Sequence, residues 1–363
     1  MRAVVKLDRG RGCLLVHDRQ ETPLDAGQVR VHVAAASVCG TDSAFYESGD
    51  AGADLGMTLP RVLGHEVSGT VIELGPHSPE SLLGARVAVE THLHCGECSF
   101  CRSGSAHNCS RMGILGVTVD GAFAERLVVP ARSCFRIPDE IELETAALLE
   151  SAGSAMHAVL RSGVNLAGGS VLISGAGPVG LVAAQIARAL GARAVVLVEP
   201  NPHRRALAQR LGLSSLGVEQ APLDVADERT RSWGGFDVAF ECSGAMPALE
   251  VALASVRREA TVMSVGLVKG ALPLQVAETL ITRGLTLRGS WGRSLWETWE
   301  RMSALVVAGQ VDLASLITHR LPLSGLPEAL DLMRGQAGKV VLDPALPDGP
   351  ESRFTQREVL HQG

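Results

Sequence analysis

Residues 171–191 read VLISGAGPVGLVAAQIARALG, and this stretch decides the fold of the second half of the chain. The apolar run Val171–Ser174 leads directly into Gly175-Ala-Gly177-Pro-Val-Gly180. The apolar residues that follow recur at the spacing of one helix face, and Gly191 ends that pattern. A Gly-x-Gly-x-x-Gly string between a strand and a helix predicts a loop that binds the pyrophosphate of a dinucleotide.

The glycines of this loop have separate physical roles. Gly175 allows the tight turn, Gly177 lets the backbone approach the phosphates, and Gly180 permits close contact between helix and strand. Pro178 and Val179 complete the predicted cofactor loop at the start of the helix.

The nucleotide preference is indicated by the end of the next strand. A carboxylate at Glu199 would bind the adenosine ribose 2′-hydroxyl and repel a 2′-phosphate. Arg204, a short distance further on, would either stack on adenine or weaken that preference. We therefore predict NAD rather than NADP as the cofactor.

The chain has two textures. Up to about residue 150, short apolar runs alternate with turn residues, which is typical of a β-rich barrel or sandwich; the runs are Val29–Ala35, Glu66–Leu74, Arg86–Val89 and Phe123–Val129. From about 155 to 290, strands alternate with helices, which predicts an α/β doubly wound parallel sheet. Two more helices (Ser294–Ala308 and Ser324–Arg334) and a strand (Lys339–Leu342) follow.

Four cysteines lie within fifteen residues of the β-rich part. They are Cys95, Cys98, Cys101 and Cys109, and they supply four soft donors on one short loop. This set fits a closed tetrahedral zinc site, which leaves no position for water and therefore organises a lobe, at about 92–112, without doing chemistry.

A second group of ligand-type residues lies upstream and predicts a reactive metal. Cys39, His65 and Glu66 offer a thiolate, an imidazole and a carboxylate, with room for an exchangeable oxygen. Glu150 would be the fourth group, as a direct ligand or as the holder of the water that substrate displaces. Such a zinc ion lowers the pKa of a bound alcohol, so that a hydride can pass to a nicotinamide.

Composition limits the other classes. The 363 residues carry a formal net charge of −6 without a block of like charges, which argues against nucleic acid or an anionic membrane as partner. The apolar runs are too short for a membrane span, and we expect a cytoplasmic protein that acts on a small molecule. A zinc-ribbon binding module would need a second Cys-x-x-Cys pair, and a zinc-free quinone or enoyl reductase would lack Cys39, His65 and Glu66.

These motifs together resemble the zinc-containing medium-chain alcohol dehydrogenase superfamily over residues 1–344. The resemblance implies a GroES-like catalytic domain at 1–152, a Rossmann NAD-binding domain at 153–290, a return to the catalytic domain at 291–345 and a flexible tail at 346–363. It also implies two zinc ions per chain, with the reactive one between the two domains, and a homo-oligomer, either a dimer or a tetramer.

Within the superfamily, the chain is similar to the branch that contains threonine and polyol dehydrogenases. The likeness rests on the stretches 235–244, 292–299, 316–320 and 333–341, above all on Gly292-Arg-Ser-Leu-Trp-Glu-Thr-Trp299. It implies that Arg293 lies near the cofactor and that Val265, Gly266 and Leu267 line the nicotinamide. It further implies roles near the reacting group for Thr41 and His92.

The chain departs from that branch at two places. Ala44 stands where threonine dehydrogenases carry a proton-relay histidine, and Ser151-Ala152 follows Glu150 where a proline and a bulky residue are usual. We therefore predict oxidation of a secondary alcohol, either a threonine-like amino alcohol or a polyol, sugar or aminocyclitol, with poor turnover of L-threonine itself.

Overall fold

A computed structural model of the chain describes residues 1–349. The chain folds into two compact units. The first unit contains Met1–Glu150 and the chain from Ile317 onward, and the second contains Ser151–Leu316. Among the described residues, no helix combines the length and the apolar character that a membrane crossing requires.

The elements follow one another along the chain in three stretches. The first stretch holds β1 (Ala3–Lys6), β2 (Leu14–Val16), β3 (Gln28–Ser37), α1 (Gly40–Glu47), β4 (Arg61–Val62), β5 (Glu66–Leu74), β6 (Arg86–Val89), β7 (His92–Leu93), α2 (Ser99–Arg102), β8 (Gly113–Ile114), β9 (Arg126–Pro130), β10 (Cys134–Arg136) and α3 (Leu143–Ala147). The second holds α4 (Leu149–Ser162), β11 (Ser170–Ser174), α5 (Pro178–Ala189), β12 (Ala194–Val198), α6 (Pro202–Arg210), β13 (Ser214–Leu216), α7 (Glu228–Ser232), β14 (Phe236–Glu241), α8 (Met246–Ser255), β15 (Val256–Ser264), β16 (Thr286–Gly289) and α9 (Glu297–Val307). The third holds β17 (Ile317–Leu321), α10 (Leu326–Met333) and β18 (Lys339–Leu342).

The first unit is built around a seven-stranded sheet. Its order is β10-β6-β5-β3-β18-β17, and β9 also pairs with β3. Along β3 the valines at alternate positions, Val29, Val31 and Val33, are buried, because successive side chains of a strand point to opposite faces. The antiparallel pairing of β3 with β5 sets Ser37 opposite Glu66, and β18 sets Val341 opposite Ser37.

The second unit is a six-stranded parallel sheet with the order β13-β12-β11-β14-β15-β16. The sheet core consists mainly of small and branched apolar residues, in keeping with the low aromatic content of the chain. All six strands run in the same direction, so the loops after β11, β12, β14 and β15 emerge at one edge of the sheet. The sequence prediction of a β-rich unit plus a doubly wound α/β unit is confirmed.

Several predicted boundaries differ from the structure. The β run expected at 123–129 forms a strand only over Arg126–Pro130. The alternation of strands and helices expected up to residue 290 is also incomplete, because the segment between β15 and β16 contains only a five-residue π-helical turn, Ala277–Ile281. The sequence pattern does not predict helix α4, because its Gly and Ser residues weaken the signal of a helix.

The sequence predicts that the segment 291–316 belongs to the first unit, but it groups with the second. Hydrogen bonds explain this: Ser294 N donates to Nδ1 of His157, and Asp312 N donates to Oε1 of Gln185. The predicted tail begins with ordered contacts, since Asp348 pairs with Arg2 at 2.9 Å. Its remainder, 350–363, lies outside the described residues.

Candidate functional site

Three neighbouring strands of the first unit bring one set of ligand-type residues together. Cys39 follows β3 and precedes α1, His65 and Glu66 stand at the start of β5, and Lys339 opens β18. The register that sets Ser37 opposite Glu66 places the end of β3 beside the start of β5. Strand pairing therefore brings these residues together, although they are far apart in the sequence.

The donor atoms of Cys39, His65 and Glu66 all lie within 4.8 Å of one another. Glu66 is buried, and the other two side chains are partly buried. A thiolate, an imidazole and a carboxylate at this spacing fit a zinc ion that keeps one position for an exchangeable oxygen. The donor set is therefore suited to a reactive zinc site.

Asp42 contacts two members of this group, Cys39 and His65, and orients them. One carboxylate oxygen accepts a hydrogen bond from Cys39 N at 2.8 Å, and the other lies 3.4 Å from Nδ1 of His65. The contact leaves Nε2 of His65 for a metal, which is the usual arrangement behind a ligating histidine. Burial lowers the pKa of His65, but the Asp42 carboxylate outweighs it and holds the pKa well above 6.5.

Glu66 is also paired with a buried cation. Nζ of Lys339 donates to Oε1 of Glu66 at 2.6 Å and also contacts Oε2, and both side chains are almost completely enclosed. Burial lowers the pKa of Lys339, but the charge of Glu66 outweighs it, so the pKa of the ammonium group is raised. Burial raises the pKa of Glu66, and Lys339 opposes that rise.

The other residues predicted for this region lie at different distances from the group. Oγ1 of Thr41 is 3.8 Å from Sγ of Cys39. Glu150, buried at the start of α4, does not share the 4.8 Å cluster, but its charge raises the pKa of Glu66. His92 is held by Glu90, whose Oε1 lies 2.7 Å from Nδ1 of His92 and also accepts from its backbone N–H.

The four cysteines of the lobe also converge, with all four sulfurs within 4.8 Å of one another. Sγ of Cys98 lies 3.4 Å from that of Cys101 and 3.8 Å from that of Cys109, and Cys95 lies 3.8 Å from Cys101. A tetrahedron of thiolates around one zinc ion at about 2.3 Å has edges of about 3.8 Å. The lobe therefore fits a closed Cys₄ zinc site.

Backbone amides of the lobe point at its sulfurs. The N–H groups of Cys98, Cys95 and Arg111 donate to sulfur at 3.3–3.4 Å. Backbone hydrogen bonds lower the pKa of Cys98 to about 5 and that of Cys95 to about 7. Burial and the neighbouring thiols raise the pKa of Cys101 to about 12.

The predicted dinucleotide loop in the second unit links β11 to α5. Gly175 has φ 96°, a left-handed conformation that favours glycine, and a Cβ on Gly180 would collide with the carbonyl oxygen of Gly175. A Cβ on Gly177 would meet no described atom within 4 Å, so the space in front of this residue is open. Pro178 and Val179 begin α5 behind it, as a phosphate-binding helix terminus requires.

The remaining cofactor candidates lie in the same unit. Glu199 follows β12, and its carboxylate accepts from Ala176 N at 2.8 Å and from Asn201 N at 2.9 Å. Arg204 lies in the first turn of α6, where its N–H donates to Asn201.

The candidates for the nicotinamide side lie further along the unit. The stretch 265–267 follows β15 at the carboxyl edge of the sheet. Arg293 is 1% exposed, with its guanidinium over the Trp299 ring at 5.9 Å and its Cδ against Gly153. Residues 265–267 therefore lie at the carboxyl edge of the sheet, whereas the side chain of Arg293 is buried.

Sequence reasoning missed three polar residues that support these sites. Asp42 stood at the position where a capping residue is expected, three residues after Cys39, and this signal was available. Lys339 was visible as a charged residue at the start of an otherwise apolar strand. Glu90 had no comparable signal, because its role depends on the fold.

Comparison with known proteins agrees with this geometry. The profile of the alcohol dehydrogenase GroES-like domain matches residues 25–139, and that of zinc-binding dehydrogenases matches residues 178–308.

Individual proteins match over almost their whole length. The L-threonine 3-dehydrogenase of Bacillus velezensis is 38% identical, covering 95% of this chain and 99% of that protein. That of Pyrococcus horikoshii is 39% identical, covering 94% and 98%. The solved galactitol-1-phosphate dehydrogenase of Escherichia coli superimposes with a TM-score of 0.84 at 28% identity, covering 95% of this chain and all of that one. The chain therefore belongs to the zinc-containing, NAD-dependent medium-chain alcohol dehydrogenase superfamily, in the branch that contains the L-threonine 3-dehydrogenases.

Proposed function

We propose that this enzyme oxidises the secondary hydroxyl of a threonine-like 2-amino-3-hydroxy compound, with NAD as the hydride acceptor. The observation that carries the proposal is the convergence of Cys39, His65 and Glu66 within 4.8 Å. The identity of 35–39% to L-threonine 3-dehydrogenases along almost the whole chain supports the choice of substrate class.

Cys39, His65 and Glu66 hold the reactive zinc ion in this proposal. When bound, zinc lowers the pKa of the alcohol, and NAD accepts the hydride from the carbon. Asp42 keeps the His65 ring in the orientation that presents Nε2, and Lys339 neutralises part of the carboxylate charge of Glu66. Glu150 would either serve as a further ligand of that zinc ion or hold the water that substrate displaces.

Thr41 would accept the proton of the substrate hydroxyl and release its own hydroxyl proton through the nicotinamide ribose to solvent. Its hydroxyl lies beside Sγ of Cys39, which supports this role. His92, held through Nδ1 by Glu90, presents its other ring nitrogen for the polar groups of the substrate. Ala44 lies on the exposed face of α1 and supplies no second relay group.

The cofactor residues divide between the two halves of NAD. Gly175, Gly177, Pro178, Val179 and Gly180 receive the pyrophosphate, which the open space before Gly177 supports. Glu199 and Arg204 bind the adenosine half. Val265, Gly266, Leu267 and Arg293 form the nicotinamide half.

The cysteine lobe holds a second zinc ion with a structural role. Four sulfurs with tetrahedral spacing leave no open position for a substrate, which supports this assignment. The enzyme then carries two zinc ions per chain, one of them reactive.

A second candidate substrate class is a polyol, sugar or aminocyclitol. The specific observation that favours it is Ala44, because a threonine dehydrogenase has its relay histidine at this position. The Ser151-Ala152 pair after Glu150 is a second departure, and it leaves smaller side chains beside the predicted pocket.

A substrate panel tests the proposal. NADH formation would be followed by absorbance with L-threonine, 2-amino-3-hydroxy analogues, sorbitol and an aminocyclitol, using wild type and Cys39→Ser in parallel. We expect NAD-dependent oxidation of amino alcohols, slow for L-threonine, and none by the variant. Turnover confined to polyols would favour the second class, and full activity of Cys39→Ser would contradict the mechanism.

The assignment of domains is also a proposal. The first unit is the catalytic domain, predicted at 1–152, and the second is the NAD-binding domain, predicted at 153–290. The hydrogen bonds of 291–316 within the second unit support moving the return to the catalytic domain from 291 to about residue 317.

The chain is proposed to form a homo-oligomer, a dimer or a tetramer, in the cytoplasm. Among the described strands, β16 is paired on one side only, and Val276 and Ile281, which precede it in the sequence, are 53% and 72% exposed. An unpaired edge with apolar neighbours supports association of copies. Light scattering coupled to size-exclusion chromatography tests the oligomeric state, and the mass of a monomer would contradict the proposed association.

The proposed location in the cytoplasm is supported by the cysteines. None of the eight cysteines, which all lie in the described part of the chain, is in a disulfide, as is usual in a reducing compartment.

A further inference from the structure

Glu241 is a completely buried carboxylate at the carboxyl end of a central strand of the second unit. It is the last residue of β14, with Ser174 of β11 on one side and Ser264 of β15 on the other. Its side chain is 0% exposed. A buried carboxylate is costly unless several donors satisfy it, so its partners define why it is there.

Three donors converge on one of its two oxygens. Oε1 accepts from Ser243 N at 2.7 Å, from Oγ of Ser243 at 2.5 Å and from Gly244 N at 2.9 Å. Hydrogen bonds to a carboxylate are stronger than those between neutral groups, so this oxygen fixes the turn 242–244.

The same residue also fixes the turn after β15. Its carbonyl oxygen accepts from Val265 N at 2.8 Å and from Gly266 N at 2.9 Å. The second carboxylate oxygen, Oε2, has no hydrogen-bond partner among the described residues, and a Cβ on Gly266 would lie 2.9 Å from it. Glu241 therefore joins two turns at the carboxyl edge of the sheet, and one of them contains 265–267.

These turns touch the dinucleotide loop. A Cβ on Gly175 would lie 3.0 Å from N and Cβ of Ser243, so the first glycine of the loop packs directly against this residue. A shift of Ser243 would therefore move either the loop or the turn. The carboxylate is linked by direct contacts to Ser243, Gly244 and Gly266, and through Ser243 to Gly175.

The strand order assigns this cluster to one half of the cofactor. Glu199 follows β12 on one side of β11, whereas Glu241 ends β14 on the other side. A dinucleotide that binds across the loop after β11 has its adenosine half towards β12, and so its nicotinamide half towards β14 and β15.

We propose that Glu241 is a positioning residue for the nicotinamide half of NAD. It acts through the Ser243-Gly244 turn and Gly266, and it is not itself a contact of the reacting atoms. This inference rests on the proposed use of NAD in the second unit, but not on the identity of the alcohol.

Binding of cofactor fragments tests the proposal without any substrate. Glu241→Gln keeps the shape but removes the charge that holds three donors. We expect its Kd for NADH, measured by fluorescence, to rise about tenfold, whereas its Kd for AMP stays within about twofold of wild type. A change that merely loosened the unit would weaken both ligands. An NADH affinity within about twofold of wild type would overturn the proposal, as would equal losses for NADH and AMP.

Two further variants keep the test interpretable. Ser243→Ala removes one donor with little risk to folding, and we expect the Kd for NADH to rise about threefold; no change would count against the proposal. Asp237→Asn is the matched control at the amino end of the same strand, where Asp237 pairs with Arg257 and Ser170. It should lower stability without changing the NADH affinity, and a loss of affinity equal to that of Glu241→Gln would overturn the positioning role. Failure of wild type to oxidise any alcohol, with NADH binding intact, would contradict only the proposed function.

Discussion

The two groups of candidate metal ligands in the first unit differ in what surrounds them. The cysteine lobe has four sulfurs on one loop, and three backbone N–H groups donate hydrogen bonds to these sulfurs at N···S distances of 3.3–3.4 Å. The group at Cys39 has three kinds of donor from two strand ends, backed by Asp42 and Lys339.

In the proposed function, this difference separates a structural zinc site from a reactive one. Four equal thiolates complete a tetrahedron and make the loop rigid, whereas three unlike donors leave a position for substrate. Buried charges behind the second group orient the imidazole and balance the carboxylate, which a purely structural site does not need. Substitutions in the two groups should therefore have opposite consequences for activity and stability.

The largest effect is expected from Cys39→Ser. The variant should lose at least about 1,000-fold in kcat/KM, because the zinc ion that polarises the alcohol is no longer held. Its thermal unfolding should stay close to that of wild type, since the partly exposed thiol contributes little packing. Cys134→Ala, which removes a cysteine that belongs to neither group, is the control and should retain activity. If Cys39→Ser and Cys134→Ala lost activity to a similar extent, the result would contradict a metal-binding role specific to Cys39.

Lys339→Met should have the largest effect on stability. Removing the ammonium group leaves the Glu66 carboxylate buried without its cation, which costs about 3–5 kcal/mol in the free energy of unfolding. Urea unfolding would measure this change.

The double variant Glu66→Gln/Lys339→Met is the control for this pair. It removes both charges, so it should recover most of the lost stability. If Lys339→Met alone stays within about 1 kcal/mol of wild type, the pair has no structural role.

Cys98→Ser should lower stability more than activity, which is the opposite of the effect expected for Cys39→Ser. The lobe would lose its zinc and its rigidity, lowering the free energy of unfolding by about 3 kcal/mol, while kcat falls less than about tenfold. Calorimetry and kinetics on one preparation would compare the two quantities. An inactive variant of wild-type stability would show that the chemistry has been assigned to the wrong cluster.

The sequence was sufficient for local features and insufficient for those that depend on strand pairing. The four lobe cysteines and the loop 175–180 lie within short stretches, so spacing alone indicates their geometry. Lys339 and Glu66 are 273 positions apart, and only the order β5-β3-β18 brings them together. The predicted return of the chain to the first unit comes too early for the same reason, because the hydrogen bonds that retain 291–316 are long-range.

The two groups should also differ, by a smaller effect, in the pH at which each one releases its zinc ion. The raised pKa of His65 means that a proton competes with metal at this residue already near neutral pH. In the lobe, backbone hydrogen bonds lower the pKa of Cys98 to about 5 and that of Cys95 to about 7, and these two thiolates keep the ion bound although the pKa of Cys101 is raised to about 12. As pH falls from about 7 to about 5, the chain should therefore lose one zinc ion together with its activity, and retain the other. Dialysis at a series of pH values with zinc analysis would show this order. Earlier release from the lobe would contradict it.

Anomalous X-ray scattering at the zinc edge tests the central claim most directly. We predict two peaks per chain, one enclosed by the four lobe sulfurs and one within about 2.3 Å of Sγ of Cys39 and about 2.1 Å of a His65 nitrogen. A single peak in the lobe, with Cys39 and His65 bound to no metal in an active enzyme, would contradict the account.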